Sequence, residues 1–280
     1  VRLLLVAVDR TGADLTRLTT GERGHAPQTR TVRGEHDEVH KLREGDLARR
    51  AQTRAEDSWQ RNAETIARAV DRAVTEDPPD LVVLSGDVRT VALVRECVSQ
   101  HVRDRLAEVA GGGRGEGVRE ETFAARLGQA AAAFRVRRRK GALARFEEAL
   151  GRGDGAVSGL GDSVEVLRRG QVAELVLAVD AIEGSLSARE LWVGPEPLQL
   201  ATSARDLDGL GLSAPPYRLV AHAALVRAAI AQDAGITVAE EGEIAAVDGV
   251  GALLRWSDGS TPRGSVLSHS ADGTRLRSLG

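Results

Sequence analysis

Apolar and polar positions change their period several times along the chain, and the changes mark out its elements. Val1–Val8 is a nearly continuous apolar run, followed by strand-like Asp14–Thr19 and a weaker Thr29–Val32. The first two are joined by Asp9-Arg10-Thr11-Gly12, a turn sequence that predicts a hairpin. Gly34 to Asp46 is polar throughout and reads as an exposed loop. From about Asp46 to Glu76 the apolar residues Leu47, Ala51, Ala55, Trp59, Ala63, Ile66, Ala67, Val70 and Val74 recur at intervals of three and four. That spacing predicts one long helix, stopped by Pro78-Pro79.

Leu81–Leu84 is a short, fully apolar strand, and Ser85-Gly86-Asp87 leads from it into a helix expected over Val88–Val109. Gly111-Gly112-Gly113-Arg114-Gly115 reads as a flexible connection, after which helical sequence runs from about Glu120 to Leu150 with a break at Gly141. The glycine cluster Gly151–Gly155 is the expected domain boundary, giving domains at 1–150 and 151–280. Beyond it the pattern predicts a helix at Gly161–Arg169 and a strand at Ala173–Val179. A mostly irregular stretch at Pro195–Pro216 follows, then a helix at Tyr217–Asp233, a strand at Ile236–Ala239 and an apolar segment at Ile244–Trp256. Alternating strands and helices in both halves indicate an α/β protein of two domains.

Composition narrows the function classes. With 42% apolar and 28% charged residues the chain is of ordinary globular balance. No stretch approaches the roughly 18 apolar residues of a membrane span. Cys97 is the only cysteine, which excludes an internal disulfide and a thiolate zinc site and points to the cytoplasm. Met is absent, even at position 1, so we expect a piece of a longer chain. A net charge of -3 argues against general nucleic-acid affinity, and DNA is not an expected partner. Residues 1–150 nevertheless carry 27 Lys and Arg against 24 Asp and Glu, whereas residues 151–280 carry 11 against 17. A polyanionic partner therefore belongs with the first half.

Individual motifs offer little enzyme chemistry. His36-Asp37-Glu38-Val39-His40 resembles the zinc-protease pattern, but its flanks are polar all round and Asp replaces the catalytic Glu, so no metal site is expected. Gly111–Gly117 has dinucleotide-fingerprint spacing yet follows a helix rather than a strand, and no cofactor is expected. Asp87 reads as a plain helix cap. More telling is the long helix, where Arg50, Arg54, Arg61, Arg68 and Arg72 fall within a stripe about 40° wide, opposite the apolar face. Such a stripe suits RNA phosphates, although Asp57–Arg61 and Glu64–Arg68 also have the spacing of ion pairs on a solvated helix. The run Arg135-Val136-Arg137-Arg138-Arg139-Lys140 adds five positive charges. Aromatic residues are only 2%, so an RNA would be met through phosphates and shape rather than stacked bases.

Three segments, in order, resemble the Pelota and archaeo-eukaryotic release-factor family. The loop and helix start Lys41-Leu42-Arg43-Glu44-Gly45-Asp46-Leu47-Ala48-Arg49-Arg50 is similar to the place where release factors carry a Gly-Gly-Gln loop running into a basic helix. Ala156–Leu177 is similar to the helix and strand that begin the family's C-terminal domain, and Ala245–Trp256 to the segment that ends it. The resemblance implies an RNase-H-like central domain followed by a kink-turn-binding ribosomal-protein-like α/β/α domain. It also implies an N-terminal decoding-site domain, which is expected to precede these residues in the full-length protein. The partners it implies are the ribosome, through ribosomal RNA and tRNA, and a translational GTPase. Lys41, Arg43 and Arg49 then join Arg50, Arg54, Arg61, Arg68 and Arg72 as the expected RNA-contacting set.

One departure from the family bears on activity. Where family hydrolases carry Gly-Gly-Gln, this chain has Glu44-Gly45-Asp46, and the nearest glutamine, Gln52, lies inside the helix. A carboxylate there would be repelled by ribosomal RNA, so peptide release is not expected and no catalytic residue is assigned. The expected role is ribosome rescue, or hibernation under stress as in the bacterial Balon-like branch. The alternatives are a release-factor-like peptidyl-tRNA hydrolase and a protein-interaction module for a translational GTPase.

Overall fold

The computed structural model describes residues 1–19, 28–34, 47–114, 119–208 and 211–262, with the backbone alone over 47–57. The chain forms two compact units, Val1–Val136 and Arg137–Gly280.

Unit 1 is built on a five-stranded sheet. Its strands are β1 (Arg2–Asp9), β2 (Gly12–Thr19), β3 (Gln28–Arg33), β4 (Leu81–Gly86) and β5 (Leu106–Glu108). Their spatial order is β3-β2-β1-β4-β5, the RNase-H-like arrangement. β1, β2 and β3 pair antiparallel, whereas β4 runs parallel to β1 and β5 parallel to β4. Helices α1 (Leu47–Glu76) and α2 (Val88–Cys97) cover one face of the sheet, meeting Leu4, Val6, Val8, Val82 and Leu84. The first part of α4 (Glu120–Arg152) covers the other face, meeting Leu3, Leu81 and Val83. Burial on both faces is why β1 and β4 lack any polar alternation.

Two sequence expectations fail in this unit. The helix expected over Val88–Val109 ends at Cys97, and a four-residue helix α3 (Gln100–Arg103) and β5 follow. Val91, Val94, Val98 and Val102 are all buried in one core, so the helical period is genuine. The break comes at Ser99, whose hydroxyl caps α3 by accepting from the Val102 amide. The break expected at Gly141 is absent, and α4 runs through it without interruption.

Unit 2 has a four-stranded sheet of β6 (Ala156–Ser158), β7 (Val172–Ala178), β11 (Gly235–Ala239) and β12 (Val250–Leu254), ordered β11-β7-β12-β6. Leu143, Phe146 and Ala149 from the end of α4 pack on one face with Val176. α5 (Leu160–Arg168) and α7 (Ala221–Ala231) pack on the other with Leu175 and Leu177. The result is an α/β/α sandwich. Gly251 is required beneath α4, because a Cβ there would lie 2.4 Å from the Phe146 ring. A separate three-stranded sheet, β10 (Tyr217–Val220), β8 (Glu190–Val193) and β9 (Leu200–Ala201), follows the short helix α6 (Val179–Glu183). Tyr217–Val220, expected to begin a helix, is therefore an antiparallel partner of β8, and α7 starts only at Ala221.

Candidate RNA-facing surface

The described part of α1 has the two faces its spacing predicts. Ala63, Ile66, Ala67, Val70, Ala73 and Val74 are buried against the sheet, and Arg61, Arg68 and Arg72 are exposed. The ion pair suggested by Glu64 and Arg68 is not how Arg68 is held; its guanidinium donates to the Thr65 hydroxyl at 3.1 Å. Arg49, Arg50 and Arg54 lie on α1, but their side chains are outside the described residues. Lys41, Arg43, Glu44, Gly45 and Asp46 lie outside them altogether, as do His36 and His40. Among the described residues no group of three or more His, Cys, Asp or Glu could hold a metal. Asp87 caps α2 as expected, accepting from the Thr90 amide at 3.0 Å.

Charge is distributed differently from the sequence expectation. Arg138 approaches Glu174 at 3.6 Å, and Arg139 reaches Glu240 at 2.5 Å and Glu243 at 3.4 Å, all within unit 2. Part of the basic run Arg135–Lys140 is thus engaged on or near carboxylates of the second unit. Counted by compact unit, residues 1–136 hold 22 Lys and Arg against 22 Asp and Glu. Unit 1 is electrically neutral, so any attraction for a polyanion comes from how its charges are arranged.

A polar hub on the β1–β2 turn has no counterpart in the sequence expectations. Asp9 Oδ1 accepts from the Thr11 amide and hydroxyl, the Gly12 amide and the Arg114 guanidinium, at 2.7 to 2.9 Å. Arg114 also pairs with Asp14 at 3.1 Å and donates to the Thr11 hydroxyl. The Gly112 amide donates to the Ser85 hydroxyl, so residues 111–114, expected to be a free connection, are pinned at both ends. Partial burial works against ionisation of Asp9, but the Thr11 and Arg114 contacts outweigh it and hold the carboxyl below its ordinary range. For Arg114, burial is likewise outweighed by Asp14 and Asp9, which push its pKa up. Nothing local in the sequence signals a pair separated by about a hundred positions.

The helical spacing places Trp59 simply on the apolar face of α1. In the fold it is half-buried, with the Arg10 and Arg89 guanidinium groups over its ring, 5.3 and 4.3 Å from the centroid. At the far end of α1, Arg17 donates to the Ala73 and Asp77 carbonyls and pairs with the Asp77 carboxylate at 2.8 Å. A cation on the last carbonyls of a helix complements its dipole.

Comparison with known proteins supplies the family. Residues 2–152 match the model for bacterial archaeo-eukaryotic release factor family 2. An uncharacterized protein found in two strains of Mycobacterium tuberculosis is 31% identical over 272 residues, covering 91% of this chain. The chain spans 66% of the length of those curated relatives. Among solved structures, ribosome-bound archaeal Pelota is similar at 13% identity and a TM-score of 0.47, covering 90% of this chain and 61% of that one. Saccharomyces cerevisiae Dom34, a translation termination-like factor, is similar at 10% identity and a TM-score of 0.44, covering 92% and 64%. With more than half its length matched by the family model, the chain belongs to the bacterial branch of the archaeo-eukaryotic release-factor family.

Proposed function

We propose that this protein is a ribosome-binding translation factor that works in the cytoplasm in ribosome hibernation or rescue, not in peptide release. Family membership supports the ribosome as target. The carrying observation is the α1 face, where Arg61, Arg68 and Arg72 stand exposed above a buried apolar stripe. Arg50 and Arg54 continue the same stripe in sequence, and Lys41, Arg43 and Arg49 precede or flank it. These residues meet ribosomal RNA phosphates, and tRNA where it is present. A translational GTPase is the protein partner that fits the family. Glu44-Gly45-Asp46 in place of Gly-Gly-Gln is the ground for excluding hydrolysis.

The test is co-sedimentation with purified bacterial ribosomes over a salt series. Removing one arginine from a phosphate lowers the slope of log affinity against log salt by roughly 0.7 to 0.9. The triple variant Arg54→Ala, Arg61→Ala, Arg68→Ala is expected to bind more weakly and with a shallower slope. A folded variant that binds like wild type at every salt concentration would leave α1 a solvated face only. Release of labelled peptide from ribosome-bound peptidyl-tRNA, abolished by Asp46→Ala or Gln52→Ala, would make the protein a hydrolase.

A further inference from the structure

Among the described residues the three sheets have six edge strands, β3, β5, β6, β9, β10 and β11. Short length and charged side chains are the usual ways in which a sheet edge is kept from pairing with another chain. β5, β6 and β9 are three residues long or shorter. β3 carries Arg30 and Arg33, and β10 carries an exposed Arg218. β11 has neither protection. Gly235–Ala239 is five residues without a charge, a proline or a break in its register against β7. Among the described residues no hydrogen bond reaches its outer backbone edge. The strand is nevertheless held in place, since the Thr237 hydroxyl donates to the Glu174 carboxylate of β7 at 2.6 Å. Ile236 and Val238 pair in register with Leu175 and Leu177, so they share the face on which α7 packs. On that face Val238 is 40% exposed and Ile230 of α7 is 65% exposed. Apolar surface and unpaired backbone are thus open at one edge.

Charge selects the occupant. Glu240 and Glu241 directly follow the strand, and both are exposed. Glu243 accepts from the Glu240 amide at 2.9 Å, and Arg139 pairs with Glu240 and Glu243. One arginine against three carboxylates leaves that end of the edge negative. At the other end Asp233 is exposed. A second copy pairing antiparallel about Thr237 would set Glu241 of each copy opposite Asp233 of the other, a like-charge pair made twice by symmetry. We infer that the open edge of β11 is a strand-addition site for an extended segment of another protein. That segment has alternating apolar side chains and a basic residue at the end that meets Glu240 and Glu241. Backbone hydrogen bonds supply the affinity, and Val238 with the acidic end supplies the specificity. Because β11 is already fixed on β7, only the incoming segment has to be ordered.

The test uses the full chain and labelled peptides of alternating valine and threonine, ended at either terminus by two lysines, two serines or two glutamates. Fluorescence anisotropy reads affinity, and amide hydrogen exchange reads the place of binding. The lysine peptide is expected to bind most tightly. At saturation it should slow the outward-facing β11 amides by about tenfold and leave those bonded to β7 as they were. Val238→Lys puts a charge on the edge and should weaken every peptide by about tenfold while the thermal midpoint stays near that of wild type. Glu241→Lys should weaken the lysine peptide by about fivefold and leave the serine peptide unchanged. Peptides that slow no β11 amide would overturn the site. Equal affinity for the lysine and glutamate peptides would overturn the basic partner. A wild-type dimer in sedimentation that Val238→Lys dissociates would give the edge to a second copy. Slow exchange of the outward amides in the free monomer would mean that the chain already covers it. Either of those results overturns the proposal.

Discussion

Arg68 and Arg72 on α1 stand exposed, Arg68 bound to a neutral hydroxyl, whereas Arg138 and Arg139 on α4 reach Glu174, Glu240 and Glu243. In sequence the two stretches look alike, each a set of arginines on a long helix. What separates them is the chain that folds against each. α1 turns Arg61, Arg68 and Arg72 away from the sheet, and α4 brings Arg138 and Arg139 to carboxylates of unit 2. Helical spacing tells which face a residue occupies; it does not tell whether a distant strand brings a counter-charge to that face.

The largest test of this difference concerns where the end of α4 belongs. Phe146 is fully buried in unit 2, so Phe146→Ala should cost about 3 to 5 kcal/mol of that unit's stability. Denaturant unfolding followed by tryptophan emission of Trp192 and Trp256 measures it. A destabilisation borne by unit 1 instead would break the assignment. Next in size, Arg139→Ala should cost about 1 to 2 kcal/mol, since Glu240 and Glu243 are deprived of a shared, partly buried partner. Ribosome affinity should keep its salt dependence. Arg68→Ala should behave in the opposite way, with stability unchanged within about 0.5 kcal/mol and the salt slope lowered by about 0.7 to 0.9.

The smallest effect lies in the hub. The folded-state pKa of Asp9 is lowered, so its contribution to stability is present above the unfolded value of about 3.9 and is lost as pH falls through the folded one. Asp9→Asn should therefore lower stability at neutral pH and flatten the fall below about pH 4. Thermal midpoints taken across that window decide it, and an unchanged acid limb would mean that Asp9 does not stabilise the hub by its charge.

Most of the architecture was legible because its signals are local. The apolar runs of β1 and β4 and the three-and-four spacing of α1 each specify an element without reference to the rest of the chain. β10 was not legible: Tyr-Arg-Leu-Val runs straight into the apolar sequence of α7, and only pairing with β8 makes it a strand. The helix face was readable for the same local reason. The hub and the Trp59 stack were not, since Asp9 and Arg114, or Arg10 and Trp59, meet only after the sheet has formed.

Trp59 has one more consequence, and it is optical. Of the three tryptophans in the chain, Trp192 and Trp256 belong to unit 2, as does the single tyrosine, Tyr217. Unit 1 thus contains one indole and no phenol, and that indole lies on α1 beneath the guanidinium groups of Arg10 and Arg89. With Trp192 and Trp256 replaced by phenylalanine, the emission of this protein becomes a one-residue gauge of how the β1–β2 turn is held against α1.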